Sequence, residues 1–105
     1  MSQAVVHAKT VYLAGQVADD TSADVAGQTR QVLAKIDRLL VTCGSHISNI
    51  LSATVYLSDI GTISAMNAEW DAWIAPDNKP ARATVEAQLA APEYRVEIVV
   101  IAALD

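Results

Sequence analysis

The last quarter of the chain, residues 79–103, restricts the possible fold most, because its pattern requires two long β-strands. In residues 82–89 polar side chains alternate with apolar ones, which is the period-two pattern of a strand with one face on a core. Residues 96–103 are apolar on both faces except for Glu97, as is typical of a central strand. The segment 90–93 between them has turn character, so the sequence predicts a hairpin of these two strands.

Two charged side chains in these strands require an explanation. Arg82 lies where the chain enters the sheet, and Glu97 is a carboxylate in apolar surroundings. A turn centred on residues 91–92 pairs Arg82 with Ile101, so Arg82 and Glu97 share one face but lie roughly 13 Å apart along it. They cannot form a simple ion pair within such a hairpin. Either a bulge shifts the register, or each charge meets a group from another part of the molecule, such as another subunit. The second alternative is our working hypothesis.

The composition predicts one domain that associates with copies of itself. The chain has 105 residues, which is enough for one hydrophobic core, and 52% of them are hydrophobic, with a mean hydropathy of +0.27. No apolar run approaches the length of a membrane span. We therefore expect the surplus apolar surface to be buried in a subunit interface.

Charge and cysteine content exclude further classes of protein. The net charge is −5 and the seven basic residues are dispersed, so there is no basic stripe that could follow the backbone of a nucleic acid. A single cysteine, Cys43, excludes an internal disulfide and suits a reducing compartment, and no targeting signal is visible, so we expect the cytoplasm. Two histidines, one cysteine and no clustered carboxylates predict no metal site.

The N-terminal half of the chain predicts two short strands and a long helix. Residues 2–8 and 10–17 alternate in polarity, and Gly15 marks either a bulge or a place where another group approaches the backbone closely. Residues 19–22 offer helix-capping side chains, and apolar residues then recur at three- and four-residue spacing. This pattern predicts an amphipathic helix over residues 22–43.

The middle of the chain predicts a third strand and a second helix. Residues 50–57 are rich in β-branched and aromatic side chains, and residues 62–74 carry an apolar helical stripe that includes Trp70 and Trp73. Asn67 falls beside this stripe and must hydrogen-bond there, which makes it a candidate site residue. The order β-β-α-β-α-β-β predicts an α+β fold with the helices on one face of a mixed sheet.

Six short blocks, spread over essentially the whole chain, match one family. They are Ser2–Val5, Leu13–Val17, Gln28–Thr29, Met66–Ala68, Pro80–Glu86 and Val96–Ile98. In these blocks and their order the chain resembles the Rid family, also called the YjgF/YER057c or L-PSP endoribonuclease family, and most closely its short YoaB-like branch. The most specific match is the Pro-x-Arg block with a glutamate fifteen residues after its arginine. The resemblance implies a chorismate-mutase-like fold, a homotrimer and three ligand clefts between subunits.

The resemblance also implies an activity that needs no metal or organic cofactor. This activity is the hydrolysis of reactive 2-imino (enamine) acids, such as 2-aminoacrylate, to 2-oxo acids and ammonia. Arg82 would bind the substrate carboxylate with its planar fork of donors, and the backbone N–H of Thr84 would add a further donor. Burial should favour the neutral form of Glu97, which would position water and move protons to the leaving nitrogen.

Other residues of the implied cleft are partly changed in this chain. Asn67 and the backbone around Gly15 would line it. Many deaminating members carry a tyrosine where this chain has Met1, a serine where it has Ala14, and a cysteine where it has Thr84. Ala14 and Thr84 therefore remain candidate binding residues with altered side chains.

Three functions and one structural alternative remain open from the sequence. The first function is imine hydrolysis, and the second is a non-catalytic trimer that binds a small carboxylate or ketoacid in the same clefts. The ribonuclease or translation-inhibitor role behind the older family name is a distant third, because the chain is acidic. In the structural alternative, Arg82 braces the trimer and Glu97 is its buried partner.

Overall fold

The computed structural model describes residues 1–105 and contains a five-stranded mixed β-sheet with two α-helices on one of its faces. The strands are β1 (Ala4–His7), β2 (Thr10–Leu13), β3 (Ile50–Leu57), β4 (Ala81–Glu86) and β5 (Val96–Ala103), and the helices are α1 (Val25–Thr42) and α2 (Ile63–Trp73). Short 3-10 turns, Ile47–Asn49 and Ile60–Thr62, precede β3 and α2. The predicted order β-β-α-β-α-β-β and the α+β class are confirmed.

The strand order in the sheet is β1-β2-β5-β3-β4. Strand β5, which is apolar on both faces, is therefore central, as predicted, and pairs antiparallel with both β2 and β3. The predicted hairpin of β4 and β5 is wrong, because β3 lies between them and pairs parallel with β4. Alternating polarity defines the two faces of a strand but not its neighbours. The segment 87–95 crosses the end of β3, where the N–H of Ala87 donates to the carbonyl of Leu57 at 2.9 Å.

The helices cover one face of the sheet, which we call the helix face, and the hydrophobic core lies between them. This core is a cluster of 17 buried residues, and its largest fully buried side chains come from both helices and from the sheet. Among them are Ile36 and Leu40 of α1, Met66 of α2, Leu57 of β3 and Ile98 of β5. Burial of this apolar surface is the main contribution to the stability of the fold.

The N-terminus of α1 is capped by Asp24, and not by residues 19–22 as the sequence suggested. Asp24 Oδ1 accepts a hydrogen bond from the N–H of Gly27 at 2.9 Å. The Ser22 hydroxyl instead donates to Asp20 Oδ1 at 2.6 Å, within the loop that precedes the helix. Both predicted helices form, and each begins later than the sequence pattern indicated, α1 at Val25 and α2 at Ile63.

The other face of the sheet is uncovered, and we call it the open face. It carries the side chains of one row of paired residues, Val5, Tyr12, Ile101, Ser52 and Ala81, together with Val85, Val99 and Glu97. Several of the apolar side chains here are exposed, including Val5 at 52% and Val85 at 44%. The apolar residues of β4 were expected on a core, and the structure places them on this open face instead. Neither helix has the length and apolarity needed to span a bilayer.

Candidate functional site

Arg82 lies on the helix face of the edge strand β4, where α2 supplies both of its contacts. Its Nη2 donates to Asn67 Oδ1 at 2.6 Å, and its Cζ lies 5.1 Å from the centre of the Trp70 ring. Asn67 and Trp70 are three residues apart, so they project from the same side of the helix. Arg82 is partly exposed and takes part in no ion pair. The prediction that Asn67 must find a hydrogen-bond partner is confirmed, and that partner is Arg82.

Thr84 follows Arg82 on the same face of β4. Its Oγ1 is buried and has no hydrogen-bond partner. The N–H of Ala87 donates toward β3, and successive residues of a strand direct their backbone groups to opposite sides, so the N–H of Thr84 is directed to the free edge of the sheet. Thr84 thus has a backbone donor at the free edge of β4, near Arg82, and its expected role in binding a carboxylate stays a prediction.

Glu97 lies on the open face and packs against the backbone at Gly15. A Cβ atom added to Gly15 would lie 3.0 Å from Cδ of Glu97 and closer still to its Oε2. A side chain at position 15 would therefore displace the carboxylate. Glu97 takes part in no ion pair, and a depression of about 290 Å³ adjoins it, lined by apolar side chains that include Leu89 and Val99 and by Tyr56.

Gly15 also lies in a β-bulge, so both alternatives for this glycine hold. Tyr12 pairs with Ile101 and Gln16 bridges to Ile98, so the β2 side advances four residues while the β5 side advances three. Regular pairing of β2 consequently ends at Leu13, before the predicted end of the strand. The extra residue turns the Gln16 side chain toward the core, where it is only 6% exposed.

Gln16 holds this bulge in shape through the residue before Gly15. Its Nε2 donates to the carbonyl of Ala14 and to Gln3 Oε1, both at 2.9 Å. The N–H of Ala14 donates in turn to the carbonyl of Gln3 at 2.8 Å. Both backbone groups of Ala14 are thus occupied, and Ala14 contributes to the candidate site by fixing the backbone against which Glu97 packs.

The two charged candidates lie on opposite faces of the sheet, which corrects the predicted shared face. Arg82 pairs with Ala53 of β3, whose side chain is buried on the helix face. Glu97 pairs with Tyr56, which is three residues further along β3 and therefore on the open face. Arg82 and Glu97 form no ion pair within the chain, but the reason is that the sheet separates them and not the offset expected in a hairpin. Arg82 contacts α2 of its own chain. This contact agrees with the working hypothesis that the charge meets a group from another part of the molecule.

Comparison with known proteins identifies the family. The chain matches the family model described as Endoribonuclease L-PSP over residues 1–104. The chain belongs to the endoribonuclease L-PSP family. A RutC family protein of Haemophilus ducreyi is 45% identical over 104 residues, which cover 99% of this chain and 89% of that protein. The RutC family protein YoaB of Escherichia coli K12 is 44% identical over 103 residues, which cover 98% of this chain and 90% of YoaB.

A solved structure shows the same L-PSP family fold. NMB1025 of Neisseria meningitidis, a member of the YjgF protein family, superposes with a TM-score of 0.97 at 46% identity, over 100% of this chain and 87% of that one. The family resemblance read from the six sequence blocks is therefore confirmed over nearly the full chain. No group of three His, Cys, Asp or Glu side chains is arranged to hold a metal ion.

The roles of two residues of this L-PSP family chain were not predicted from its sequence. Trp70 was assigned to the core alone, yet its buried ring also contacts the guanidinium of Arg82, and its three-residue spacing from Asn67 was the available signal. Gln28 is fully buried and joins α1 to the segment before β5: its Nε2 donates to the carbonyl of Glu93 at 3.1 Å, and its Oε1 accepts from the N–H of Arg95 at 2.9 Å. It thereby fixes the approach to the strand that carries Glu97.

Proposed function

We propose that this protein hydrolyses reactive 2-imino and enamine acids to 2-oxo acids and ammonia. In this reaction the oxygen of a water molecule adds to the imine carbon, and the C–N bond then breaks. The nitrogen leaves as ammonia after taking up protons from the water, and the carbon keeps the oxygen as a carbonyl. The chemistry requires an anchor for the substrate carboxylate and a group that positions water and transfers protons.

The observation that carries this proposal concerns two opposite charges without ionic partners. Arg82 and Glu97 are both partly buried, and neither pairs with an opposite charge anywhere in the chain. A charge withdrawn from water is costly unless something compensates it, so each is expected to meet a further group. A substrate carboxylate would compensate Arg82, and the water and leaving nitrogen would engage Glu97.

The surroundings of each residue fit these roles. A guanidinium binds a carboxylate with two parallel hydrogen bonds, and Arg82 has donors left after its single bond to Asn67. The N–H of Thr84, two residues further along β4 at the free edge of the sheet, would donate to the same carboxylate. Gly15 allows Glu97 to lie against the backbone, beside the depression of about 290 Å³ that would receive the substrate side chain.

The opposite faces of Arg82 and Glu97 favour a site built by two subunits. Within one chain the sheet itself separates them, whereas a neighbour packed on the open face would bring its own β4 edge toward Glu97. The exposed apolar residues of this face are what a subunit interface would bury. The homotrimer with three such clefts, in the cytoplasm, is part of this proposal.

A second candidate is a non-catalytic trimer that binds small 2-oxo acids or other carboxylates. The observation in its favour is that Ala14 and Thr84 replace the serine and cysteine that many deaminating members carry, while Arg82 remains. The RNA cleavage named in the family's description fits less well, because the net charge of −5 opposes binding of a polyanion.

The test is imine hydrolysis in a coupled assay. An amino-acid oxidase or a threonine dehydratase generates the imine in solution, and trapping with semicarbazide reports how long it survives. We expect the parent protein to shorten this lifetime and Arg82→Ala to abolish the effect. Glu97→Gln should still bind pyruvate, as a product analogue, yet lose turnover. Pyruvate binding in the parent without any acceleration, across imines with different side chains, would support the non-catalytic candidate.

A mixing experiment tests whether one site uses two subunits. Arg82→Ala and Glu97→Gln, each inactive alone, are unfolded together in equal amounts and refolded. If Arg82 and Glu97 of a site come from different chains, about a quarter of the parental activity should return, because subunits assort at random around a closed ring. No recovery, with trimers present, would contradict the two-subunit site.

A further inference from the structure

The guanidinium of Arg82 contacts two side chains of α2, one of which is fixed by the hydrophobic core. Asn67 accepts from it at 2.6 Å, and the Trp70 ring lies 5.1 Å from its Cζ. Trp70 is 5% exposed and belongs to the hydrophobic core. Its ring centre is 5.6 Å from that of Trp73, at an interplanar angle of 55°. Trp70 therefore presents a ring to Arg82 that core packing keeps in place.

Both of these partners of Arg82 are uncharged. Glu69, which lies between Asn67 and Trp70 in the sequence, pairs with Arg30 of α1 at 2.6 Å instead. An amide oxygen and an indole ring orient a guanidinium without cancelling its charge, whereas a carboxylate would do both. The surroundings of Arg82 thus limit where the guanidinium can lie and leave its positive charge for an anion from outside the chain.

We propose that Trp70 is a positioning residue, which holds Arg82 where it binds a carboxylate and whose fluorescence reports that binding. The inference rests on the proposed function, in which Arg82 binds the substrate carboxylate. Among aromatic side chains tryptophan attracts a cation most strongly. If Arg82 only braced β4 against α2, changes at Trp70 would alter stability and leave ligand affinity unchanged.

The first experiment compares Trp70→Phe and Trp70→Leu with the matched control Trp73→Phe, in the imine assay and with pyruvate as binding probe. We expect the KM and the Kd for pyruvate to rise about tenfold in Trp70→Leu, about threefold in Trp70→Phe and less than about twofold in Trp73→Phe. An anchor binds substrate and transition state alike, so kcat should change less than KM. Unchanged KM and Kd in folded Trp70→Phe and Trp70→Leu would overturn the inference.

Fluorescence offers a second readout, because the chain has only two tryptophans. Trp73→Phe leaves Trp70 as the sole indole, and pyruvate should change its emission in a saturable way. The same titration on the double variant Arg82→Ala, Trp73→Phe should show no change. A saturable change that survives the loss of Arg82 would overturn the inference.

A ligand-free measurement separates this inference from the proposed function. The Trp70 ring should shift the side-chain proton resonances of Arg82 in NMR spectra, and this shift should vanish in Trp70→Leu and persist in Trp73→Phe. Imine hydrolysis by a parent protein without this shift overturns the inference and leaves the proposed function intact. The shift without imine hydrolysis or pyruvate binding overturns the proposed function, while the positioning of Arg82 by Trp70 stands.

Discussion

The helix face and the open face of the same sheet differ in how much apolar surface the chain itself can bury. On the helix face, Leu57 and Ile98 are fully buried against the two helices. On the open face, Val5, Tyr12 and Val85 are all more than two-fifths exposed, although they belong to strands of the same sheet. The chain therefore buries the apolar side chains of the helix face and leaves several of those on the open face exposed.

The two charged candidates lie on different faces and therefore have different surroundings. Arg82 reaches the helix face at the one edge where α2 offers an amide and an indole in place of aliphatic side chains. Glu97 lies on the open face, which neither helix covers, and is partly exposed there. The helix face accounts for folding. In our proposal the open face accounts for association and holds Glu97, the part of the site that a neighbouring subunit completes.

Leu57→Ala should show the largest effect, because it removes packing from the completed face. Truncating a fully buried leucine costs about 2–5 kcal/mol of unfolding free energy. Val85→Ala on the open face is the matched control and should lower the unfolding free energy of the isolated subunit by less than about 1 kcal/mol. Urea unfolding at a protein concentration that keeps subunits apart measures both. Equal losses in the two variants would remove the distinction between the faces.

Val85→Asp should disrupt association and leave the fold of the subunit intact. A carboxylate placed in an apolar interface without a partner costs several kcal/mol. Sedimentation should therefore show a smaller species than the parent, and imine hydrolysis should fall with it. Val41→Asp is the control, since Val41 is 60% exposed on α1, and it should assemble as the parent does. Normal assembly of Val85→Asp would exclude the open face as the interface.

Gly15→Ala tests the contact between the bulge and Glu97. The added methyl group cannot coexist with the carboxylate in its present position, and the flexible Glu97 side chain should move away at little cost in stability. We expect imine hydrolysis to fall at least about tenfold, because a displaced catalytic group loses its geometry. The association measured by sedimentation should stay close to that of the parent. If Gly15→Ala kept the turnover of the parent, Gly15 would not be a part of the site.

Thr84→Val should give the smallest change, and one of opposite sign. The valine keeps the shape of the side chain and removes a buried hydroxyl that has no hydrogen-bond partner, so the unfolding free energy should rise by about 1 kcal/mol. Thr54→Val, from the open face, is the control and should give no comparable gain. A loss of stability in Thr84→Val would mean that the hydroxyl has a partner in the assembled protein.

Sequence patterns predicted the elements well and their arrangement less well. The apolar run in β5 required a central strand, and the α1 and α2 stripes required helices, because burial enforces those periods locally. The pairing of β3 between β4 and β5 could not be read in this way, since a strand's alternation is the same whichever neighbour it has. For the same reason the apolar side of β4 was placed on the wrong face.

The candidate site shows the same limit. Arg82, Glu97, Asn67 and Gly15 were selectable from residue type and family resemblance, and the structure brings them together in two pairs, one on each face of the sheet. The sequence contained no indication that the pairs lie on opposite faces. The contact of Trp70 with Arg82 was equally hidden, because a tryptophan on an apolar stripe is ordinarily explained by the core alone.

The single extra residue in the bulge makes the length of this part of the chain matter as much as its composition. Because one more residue lies between Tyr12 and Gln16 than between Ile98 and Ile101, the alternation of side chains is reset before Gln16. Removing any one residue there would restore regular pairing, with Gln16 still opposite Ile98, but would remove the bulge whose backbone packs against Glu97. Homologues that keep this chemistry should therefore vary in sequence across the segment far more readily than in the number of residues it contains.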